Sequence, residues 1–333
     1  PPLQSPCRTS HHAHDRPLLL PVSARDDTSL RAYAKQYVTS LHGMDTELAD
    51  FCYSAGSRRD HHERRMVVIG NDAKQLGHRL RVWLTDKEAA AGIVSGNADD
   101  GNHSTVFVFT GQGSQWLGMG RQLMFREPVV QQTLEEIDEH FQALSGWSLV
   151  EALKSVDEQS SFDRTNVCQP AIFALQVALT KLWQSWGIEA DAVVGHSVGE
   201  VAAAWCAGIY SIEDAVRLTY HRSTLQDTTG GHGRMMAVGM TADEAGSVIA
   251  PVSDRVQVTA INGPALVTLG GDTETLTAIG TQLEAAGKFV RWLKLDYAFH
   301  TYQMDAIKDE LLGALTFLDP APSRIPFVST VTG

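Results

Sequence analysis

The sequence predicts an α/β protein whose core is interrupted by a smaller α/β module. Two observations lead to this prediction. At 105–120 and again at 191–208, a strand of β-branched and aromatic residues runs through a glycine-containing turn into a helical pattern; this order is typical of parallel strands that deliver backbone amides to a site. Between 235 and 295 the predicted elements follow the order β-α-β-β-α-β, which is the ferredoxin-like pattern.

The composition is that of a globular chain with more than one compact unit. The chain has 333 residues, of which 43% are hydrophobic and 20% are charged, enough for a sizeable core. A net charge of −12 leaves no basic face for nucleic acid or for an anionic membrane. No apolar run approaches the roughly 18 to 20 residues of a membrane span, and the first residues lack the basic-then-apolar pattern of a secretory signal. The four cysteines have no ligand-like spacing, which favours a reduced, cytoplasmic protein.

The first residues are not expected to fold. Residues 1–16 are rich in proline, serine and histidine and lack periodicity, which predicts a flexible tail. His11, His12 and His14 have no accompanying carboxylates or cysteines at ligand spacing, so no metal site is predicted. Because the chain begins at proline, we expect it to be a piece of a longer polypeptide.

A small α/β domain is predicted over residues 17–100. Its helix at 26–41 carries apolar residues at spacings of three and four behind a capping Asp27 or Thr28. The polar, glycine-bearing stretch 95–104 predicts the boundary with the next unit. The other elements are indicated by the strand-like "PLLLPVSA" and "RRMVVIG" and by the helical "DAKQLGHRLRVWL".

The stretch "AVVGHSVGEVAAAWCAG" at 192–208 indicates a nucleophile. Gly-x-Ser-x-Gly between a strand and a helix is a nucleophile elbow, in which small flanking residues permit a strained turn that exposes Ser197. The helix, expected from Ser197 onward, would present amides to an oxyanion. We therefore predict an α/β-hydrolase-like core over 103–233 and 297–333, with the ferredoxin-like subdomain over 234–296 inserted.

Three further residues strengthen the interpretation of the elbow. The strand-like run "FVRWLKLDYAFH" ends at His300, a candidate general base downstream of the serine. His196 is a weaker candidate, because adjacent residues on an elbow point apart, and it is better explained as support for the turn. Gln112 lies in the other glycine-containing turn, after the strand at 105–110, and that turn can supply another oxyanion amide. Arg222 lies on the second helix after the elbow. A helical arginine is by itself ordinarily a surface residue, so Arg222 gains weight only from the resemblance given below.

Six motifs occur together and in a specific order. They are "FTGQGSQWLGMG", "CQPA", "GHSVGE", "YHRS", "INGP" and "DYAFH". In this order the chain is similar to the malonyl-type acyltransferase domains of type I polyketide synthases, iterative or modular, and residues 17–100 resemble their ketosynthase–acyltransferase linker. Fatty acid synthase domains share most of the six motifs.

The resemblance implies a role for each central residue. Ser197 would attack the thioester carbonyl of an acyl-CoA, and His300 would take its proton and return it to the leaving thiol. The backbone amides of Gln112 and Val198 would hold the oxyanion. Arg222 would pair with the free carboxylate of malonyl in a two-pronged contact, which neutral acyl groups cannot form.

The resemblance also implies a pocket around the acyl group. At the position of Phe299, family members with phenylalanine prefer malonyl and those with serine prefer methylmalonyl. The Phe299 ring would fill the space that an α-methyl group needs, which would favour malonyl by roughly 1 to 3 kcal/mol. Gln169 and Asn262 match family positions near the pocket, and a structural role is equally open for either. His196 lies beside the nucleophile.

The implied reaction needs no metal and no bound redox cofactor. Coenzyme A arrives with the substrate, and the acceptor is the phosphopantetheine thiol of an acyl carrier protein; the adjacent ketosynthase is a further partner. Family members continue beyond Gly333 with elements that close the core, so we expect the core to be incomplete here. Asp296 is poorly placed to orient His300 along an extended chain. A backbone carbonyl, or a residue beyond Gly333, is the alternative.

Other functions remain open at this stage. A serine esterase or thioesterase would use the same elbow, but it leaves Arg222 without a purpose and should show a third, acidic member. A fatty acid synthase malonyl/acetyl transferase is a further enzymatic alternative. A transferase of neutral acyl groups is another, but Arg222 argues against it. A docking scaffold would be indifferent to Ser197→Ala.

Overall fold

The chain divides into compact units, Pro1–His103 and Ser104–Gly333. Among the described residues, no helix combines the length and the apolar character needed to cross a bilayer. The predicted tail and its three histidines lie outside the described residues. The computed structural model describes residues 17–44, 47–86, 91–98, 101, 103–155 and 161–333.

The first unit is an antiparallel three-stranded sheet with helices packed on one face. The strand order is β1-β2-β3. The buried side chains of β1 and β2, such as Leu20 and Val68, alternate with more exposed ones and pack against Leu30 and Leu80 of two of the helices. The elements are β1 (Leu18–Ala24), α1 (Asp27–Ser40), α2 (Leu48–Ser57), β2 (Arg64–Gly70), α3 (Ala73–Thr85) and β3 (Ile93–Asn97).

The cap of α1 differs from the sequence prediction. Asp26, rather than Asp27 or Thr28, is the N-cap, and its Oδ1 accepts the amide of Ser29 at 2.7 Å. Asp26 has extended backbone angles, whereas Asp27 already lies within the helix. An aspartate at that position satisfies one of the amide donors that a helix leaves unpaired at its start.

The second unit begins with a parallel sheet that packs against helices. Strands β4 and β5 pair in parallel from Val106↔Ala192 to Phe109↔Gly195. Their buried residues join one hydrophobic core with α5, α7, α8 and α9. The elements are β4 (Val106–Phe109), α4 (Arg121–Arg126), α5 (Pro128–Ser145), α6 (Leu149–Lys154), α7 (Thr165–Ser185), β5 (Ala192–Gly195), α8 (Gly199–Cys206) and α9 (Ile212–Asp227).

A four-stranded antiparallel sheet with two helices follows. The strand order β7-β8-β6-β9 and the chain order β-α-β-β-α-β confirm the ferredoxin-like prediction. Its hydrophobic core is separate from that of the parallel sheet and is centred on Met236, Leu269 and Leu276. The elements are β6 (Gly233–Val238), α10 (Ala242–Ile249), β7 (Val256–Gly263), β8 (Leu266–Asp272), α11 (Thr273–Ala285) and β9 (Val290–Trp292).

The chain then returns to the parallel sheet. After a 3-10 helix at Tyr302–Ile307 and α12 (Lys308–Ala314), β10 (Phe327–Val328) pairs with β5 in parallel. Just beyond β10, the amide and hydroxyl of Thr330 donate to Glu200 Oε1 at 2.8 and 2.7 Å. The last described residues therefore bind the helix that follows the elbow.

The run "FVRWLKLDYAFH" that leads to His300 is a strand only in its first part, and the prediction of a strand was wrong for the residues after Trp292. Strand β9 ends at Trp292, and the following residues form a loop. His300 has a φ of 60°, in the left-handed region that a strand does not use. The loop bends toward the end of α9, where the carbonyl of Asp296 accepts the amide of Gly231 at 2.9 Å.

Candidate active site

The turn between β5 and α8 places Ser197 in a strained conformation. Ser197 has a φ of 54°, so α8 begins at Gly199 rather than at Ser197 as the sequence suggested. The flanking glycines allow the chain to pass close to itself. A Cβ atom at Gly195 would lie 2.3 Å from the carbonyl oxygen of Gly199, and one at Gly199 would lie 2.3 Å from that of Phe109. The two small residues are therefore required by backbone contact.

Ser197 and His300 meet across the fold. Ser197 Oγ lies 3.0 Å from His300 Nε2. His300 is an exposed residue, but desolvation by the surrounding protein, followed by the positive charge of Arg222 and the neighbouring His196, lowers the pKa of His300 from its ordinary value. The ring is therefore neutral at pH 7 and able to accept the serine proton.

Arg222 reaches the same serine from α9. Its Nη2 lies 3.1 Å from Ser197 Oγ, and its Nη1 donates to Gln169 Oε1. Burial lowers the pKa of Arg222 to about 10, so the guanidinium is still charged at neutral pH. A fixed positive charge thus stands beside the Ser197 hydroxyl.

A glutamine cluster holds the guanidinium in place. Gln169, which is 2% exposed, donates from Nε2 to Gln112 Oε1 and to Gln226 Oε1, both at 2.9 Å. Gln112 in turn donates to the hydroxyl of Thr165 at 3.4 Å. Gln226 and Thr165 were not predicted. The spacing of four between Arg222 and Gln226, which places both on one face of α9, is the sequence signal that could have revealed Gln226.

The two turns present backbone amides near the serine. Within the described residues, neither the amide of Gln112 nor that of Val198 donates a hydrogen bond. The turns are joined by the amide of His196, which donates to the carbonyl of Phe109 at 2.8 Å. The His196 ring is exposed and lies over Gly111, where a Cβ would come within 2.8 Å of its Nδ1. His196 thus contacts the turn that contains Gln112.

The remaining predicted residues lie at different distances from this cluster. Phe299 is 7% exposed and stacks on Tyr297 with ring centroids 5.0 Å apart. Asn262 is exposed at the end of β7, where its amide donates to Thr268 Oγ1 at 2.8 Å. In the described part of the chain, no hydrogen bond joins Asn262 to Ser197, and no carboxylate, including that of Asp296, bonds to His300.

Two family models match the chain. The model described as "Acyl transferase domain" matches residues 106–333. The model described as "CurL-like, PKS C-terminal" matches residues 18–80. The two matches fall on the second and the first compact unit, respectively.

Curated relatives are much longer proteins. Erythronolide synthase EryA2 of Saccharopolyspora erythraea is 37% identical over 320 residues, which are 96% of this chain and 9% of that protein. Mycoketide-CoA synthase of Mycobacterium tuberculosis is 37% identical over 313 residues, which are 94% of this chain and 8% of that protein. The chain spans less than a tenth of the length of either relative.

Solved structures of single domains match over most of both chains. The acyltransferase domain from module 8 of the salinomycin polyketide synthase has a TM-score of 0.88 and 34% identity, covering 95% of this chain and 75% of that one. The acyltransferase domain of SpnD in complex with 2-(pent-4-yn-1-yl)malonyl has a TM-score of 0.80 and 27% identity, covering 95% and 74%. The chain therefore belongs to the family of acyltransferase domains found in polyketide synthases.

Proposed function

We propose that this domain loads malonyl from malonyl-CoA onto Ser197 and passes it to the phosphopantetheine thiol of an acyl carrier protein. The observation that carries the proposal is the position of Arg222, whose Nη2 lies 3.1 Å from the nucleophilic oxygen. A cation beside a nucleophile favours a substrate with a negative charge beside its reacting carbonyl.

Malonyl fits this arrangement because one carbon separates its carboxylate from its thioester carbonyl. A carboxylate held by the Arg222 fork would leave the carbonyl carbon within reach of Ser197 Oγ. Gln169 keeps the fork oriented. A neutral acyl group would leave the partly buried guanidinium without an anionic partner, which costs binding free energy.

The first half-reaction forms an ester on the enzyme. Neutral His300 takes the hydroxyl proton of Ser197 while Oγ attacks the carbonyl carbon of the thioester. The resulting oxyanion is stabilised by the amides of Gln112 and Val198. The C–S bond then breaks, and the CoA thiolate takes the proton from the His300 imidazolium.

The second half-reaction reverses the proton path. His300 takes the proton of the carrier thiol, and the thiolate attacks the ester carbonyl of malonyl-Ser197. The C–O bond to the serine breaks, and Ser197 recovers its proton from His300. The protons and electron pairs balance over the two halves without any further reactant.

Phe299 is proposed to favour malonyl over α-substituted extender units. Its position next to His300 and the stacking on Tyr297, with ring planes 10° apart, support a fixed ring at the edge of the site. The discrimination against one methyl group is expected to be roughly 10- to 150-fold. Gln169 acts by holding Arg222, and we propose no contact between Asn262 and substrate.

The first unit is proposed to be a structural linker to a ketosynthase. The support is the match of residues 18–80 to a model of a polyketide synthase C-terminal segment and the resemblance of residues 17–100 to the family linker. All the residues that we place in the reaction belong to the second unit.

Competition for loading tests the proposal. The protein is mixed briefly with equimolar malonyl-CoA, methylmalonyl-CoA and acetyl-CoA, and the adducts are measured by intact-protein mass spectrometry. We expect malonyl to dominate in the wild type and in Arg255→Ala, which removes an exposed charge of the ferredoxin-like subdomain. Arg222→Ala should lose malonyl loading by at least about 100-fold, because the carboxylate loses its charge-assisted partner.

Two results would contradict the proposal. One is equal loading of acetyl and malonyl by the wild type. The other is an Arg222→Ala variant, folded by circular dichroism, that keeps the wild-type preference for malonyl.

A further inference from the structure

A buried carboxylate at the end of α9 has no role in the reaction described above. Asp227 is the last residue of the helix that carries Arg222, and its side chain is 8% exposed. Its Oδ1 accepts the hydroxyl of Tyr297 at 2.9 Å, and its Oδ2 pairs with Arg164 Nη2 at 2.5 Å. The Asp227 carboxylate is thus paired with Arg164 through one oxygen and hydrogen-bonded to Tyr297 through the other.

Tyr297 belongs to the loop that carries the proposed base. Desolvation and the hydrogen bond to Asp227 raise the pKa of Tyr297 to about 12, so its hydroxyl stays protonated and donates. Tyr297 is 9% exposed, and its ring stacks on Phe299, the residue directly before His300. A rigid aromatic pair therefore connects the carboxylate to the base.

The other attachments of this loop lead elsewhere. The carbonyl of Asp296 accepts the amide of Gly231, which lies beyond the end of α9. The amide of Tyr302 donates to Gln257 of the ferredoxin-like sheet at 2.8 Å. The Tyr297 side chain also bonds to that of Thr165 on α7. The Asp227–Tyr297 bond is the side-chain hydrogen bond, among those described, that joins the loop to α9 itself. His300 sits at a φ of 60°, a conformation that persists only when its surroundings fix it.

We propose that Asp227 is a positioning residue for His300, acting through Tyr297 to lock the loop of the base onto the helix that carries Arg222. The inference rests on the proposed function of Ser197 and His300. If so, α9 sets two features of the site. It carries the charge of Arg222 that receives the substrate, and through Asp227 it fixes the distance between Ser197 and His300. Arg164, whose side chain is mostly exposed, keeps the Asp227 carboxylate in place through their ion pair.

Single-turnover loading of malonyl-CoA measures the effect. Tyr297→Phe keeps the stacked ring and removes the hydrogen bond, and Asp227→Asn keeps the shape and removes the charge. We expect Tyr297→Phe to lower the saturating acylation rate about 10- to 100-fold, because small displacements of a catalytic group have effects of this size. Asp227→Asn keeps one acceptor oxygen for the tyrosine hydroxyl and should lower the rate by less. The malonyl-CoA concentration at half-saturation should change less than about threefold, since Arg222 is left in place.

The pH dependence of the rate separates positioning from stability. The charged and titratable groups that face His300 are Arg222 on α9, His196 on the elbow and Glu200 on α8. Release of the loop would admit water to the ring, so the acid limb of the rate should move to higher pH, toward the ordinary pKa of 6.5. A purely structural role lowers the folded fraction without moving this midpoint.

Two comparisons complete the test. The Tyr302 hydroxyl, close to His300 in the chain, makes no hydrogen bond within the described residues, since only the amide of Tyr302 bonds to Gln257. Tyr302→Phe should therefore match the wild type in acylation rate and in the midpoint of the acid limb. The double variant Tyr297→Phe/Asp227→Asn should lose no more than the more impaired single variant, because the two residues act through one contact.

The outcomes separate this inference from the proposed function. If Ser197→Ala abolishes loading but folded Tyr297→Phe and Asp227→Asn keep the wild-type rate and pH midpoint, the positioning role is wrong and the nucleophile assignment stands. If Ser197→Ala still loads malonyl, the proposed function itself fails.

Discussion

The two residues proposed to exchange a proton share an unusual backbone conformation. Ser197 and His300 have φ values of 54° and 60°, and within the described residues they are the non-glycine positions with positive φ. Such conformations cost about 1 to 3 kcal/mol each and are found where function requires them. The strain at Ser197 is sustained by close backbone packing at Gly195 and Gly199.

Gly199→Ala tests that packing at the scale of one methyl group. Its Cβ would lie 2.3 Å from the carbonyl oxygen of Phe109, which belongs to a strand and cannot easily move. We expect a loss of about 1 to 3 kcal/mol in the free energy of unfolding, together with a fall in malonyl loading as Ser197 is displaced. Urea unfolding and loading rates provide the two measurements.

Gly246→Ala is the matched control for this substitution. Gly246 lies in α10, is exposed, and has no atom within 4 Å of an added Cβ. Because alanine favours a helix over glycine by up to about 1 kcal/mol, this variant should be as stable as the wild type or slightly more so. Equal stability of the two variants would show that the close approach at Gly199 is unimportant.

At the scale of elements, Asp138 joins two helices of the core. Its carboxylate, on α5, accepts the amides of Leu149 and Val150 at the start of α6 at 2.6 and 3.2 Å. It also accepts the hydroxyl of Ser148 and the side-chain amide of Gln142, both at 2.7 Å. One buried carboxylate thus accepts two of the backbone amides that the start of α6 leaves unpaired.

Removal of this carboxylate should cost more than one ordinary hydrogen bond. We expect Asp138→Ala to lower the free energy of unfolding by about 2 to 3 kcal/mol, because buried donors lose their acceptor. Asp138→Asn keeps one acceptor oxygen and should lose less. Urea unfolding followed by tryptophan fluorescence measures both, and an Asp138→Ala variant as stable as the wild type would rule out the joining role.

Element prediction from sequence succeeded where periodicity or glycine turns were strong. The strands before both turns and the ferredoxin-like order were predicted, whereas α2 and β3 were not. Strand β3 pairs with β2 alone at the sheet edge, and its residues after Ile93 are exposed, so it lacks the alternation that reveals a strand. The loop to His300 was mistaken for a strand because its apolar residues pack around Tyr297 and Phe299 rather than in a sheet.

At the scale of the whole molecule, sequence reasoning predicted more residues of the candidate site than residues that hold the site in place. The elbow identified Ser197 from local pattern, the run "FVRWLKLDYAFH" indicated His300 as a candidate base, and the family resemblance supplied the role of Arg222. The contacts of Asp227 escaped prediction because Arg164 and Tyr297 lie 63 and 70 positions away along the chain. Only the folded arrangement brings such partners together.

The most direct test of the central claim is to locate the acyl group after brief mixing with malonyl-CoA. The protein is digested and the malonylated peptide is sequenced by tandem mass spectrometry. We expect a malonyl ester on Ser197 in the wild type and no adduct in Ser197→Ala. An adduct that persists in folded Ser197→Ala, or that maps to another nucleophile such as Cys206, would contradict the assignment of Ser197 as the residue that carries the acyl group.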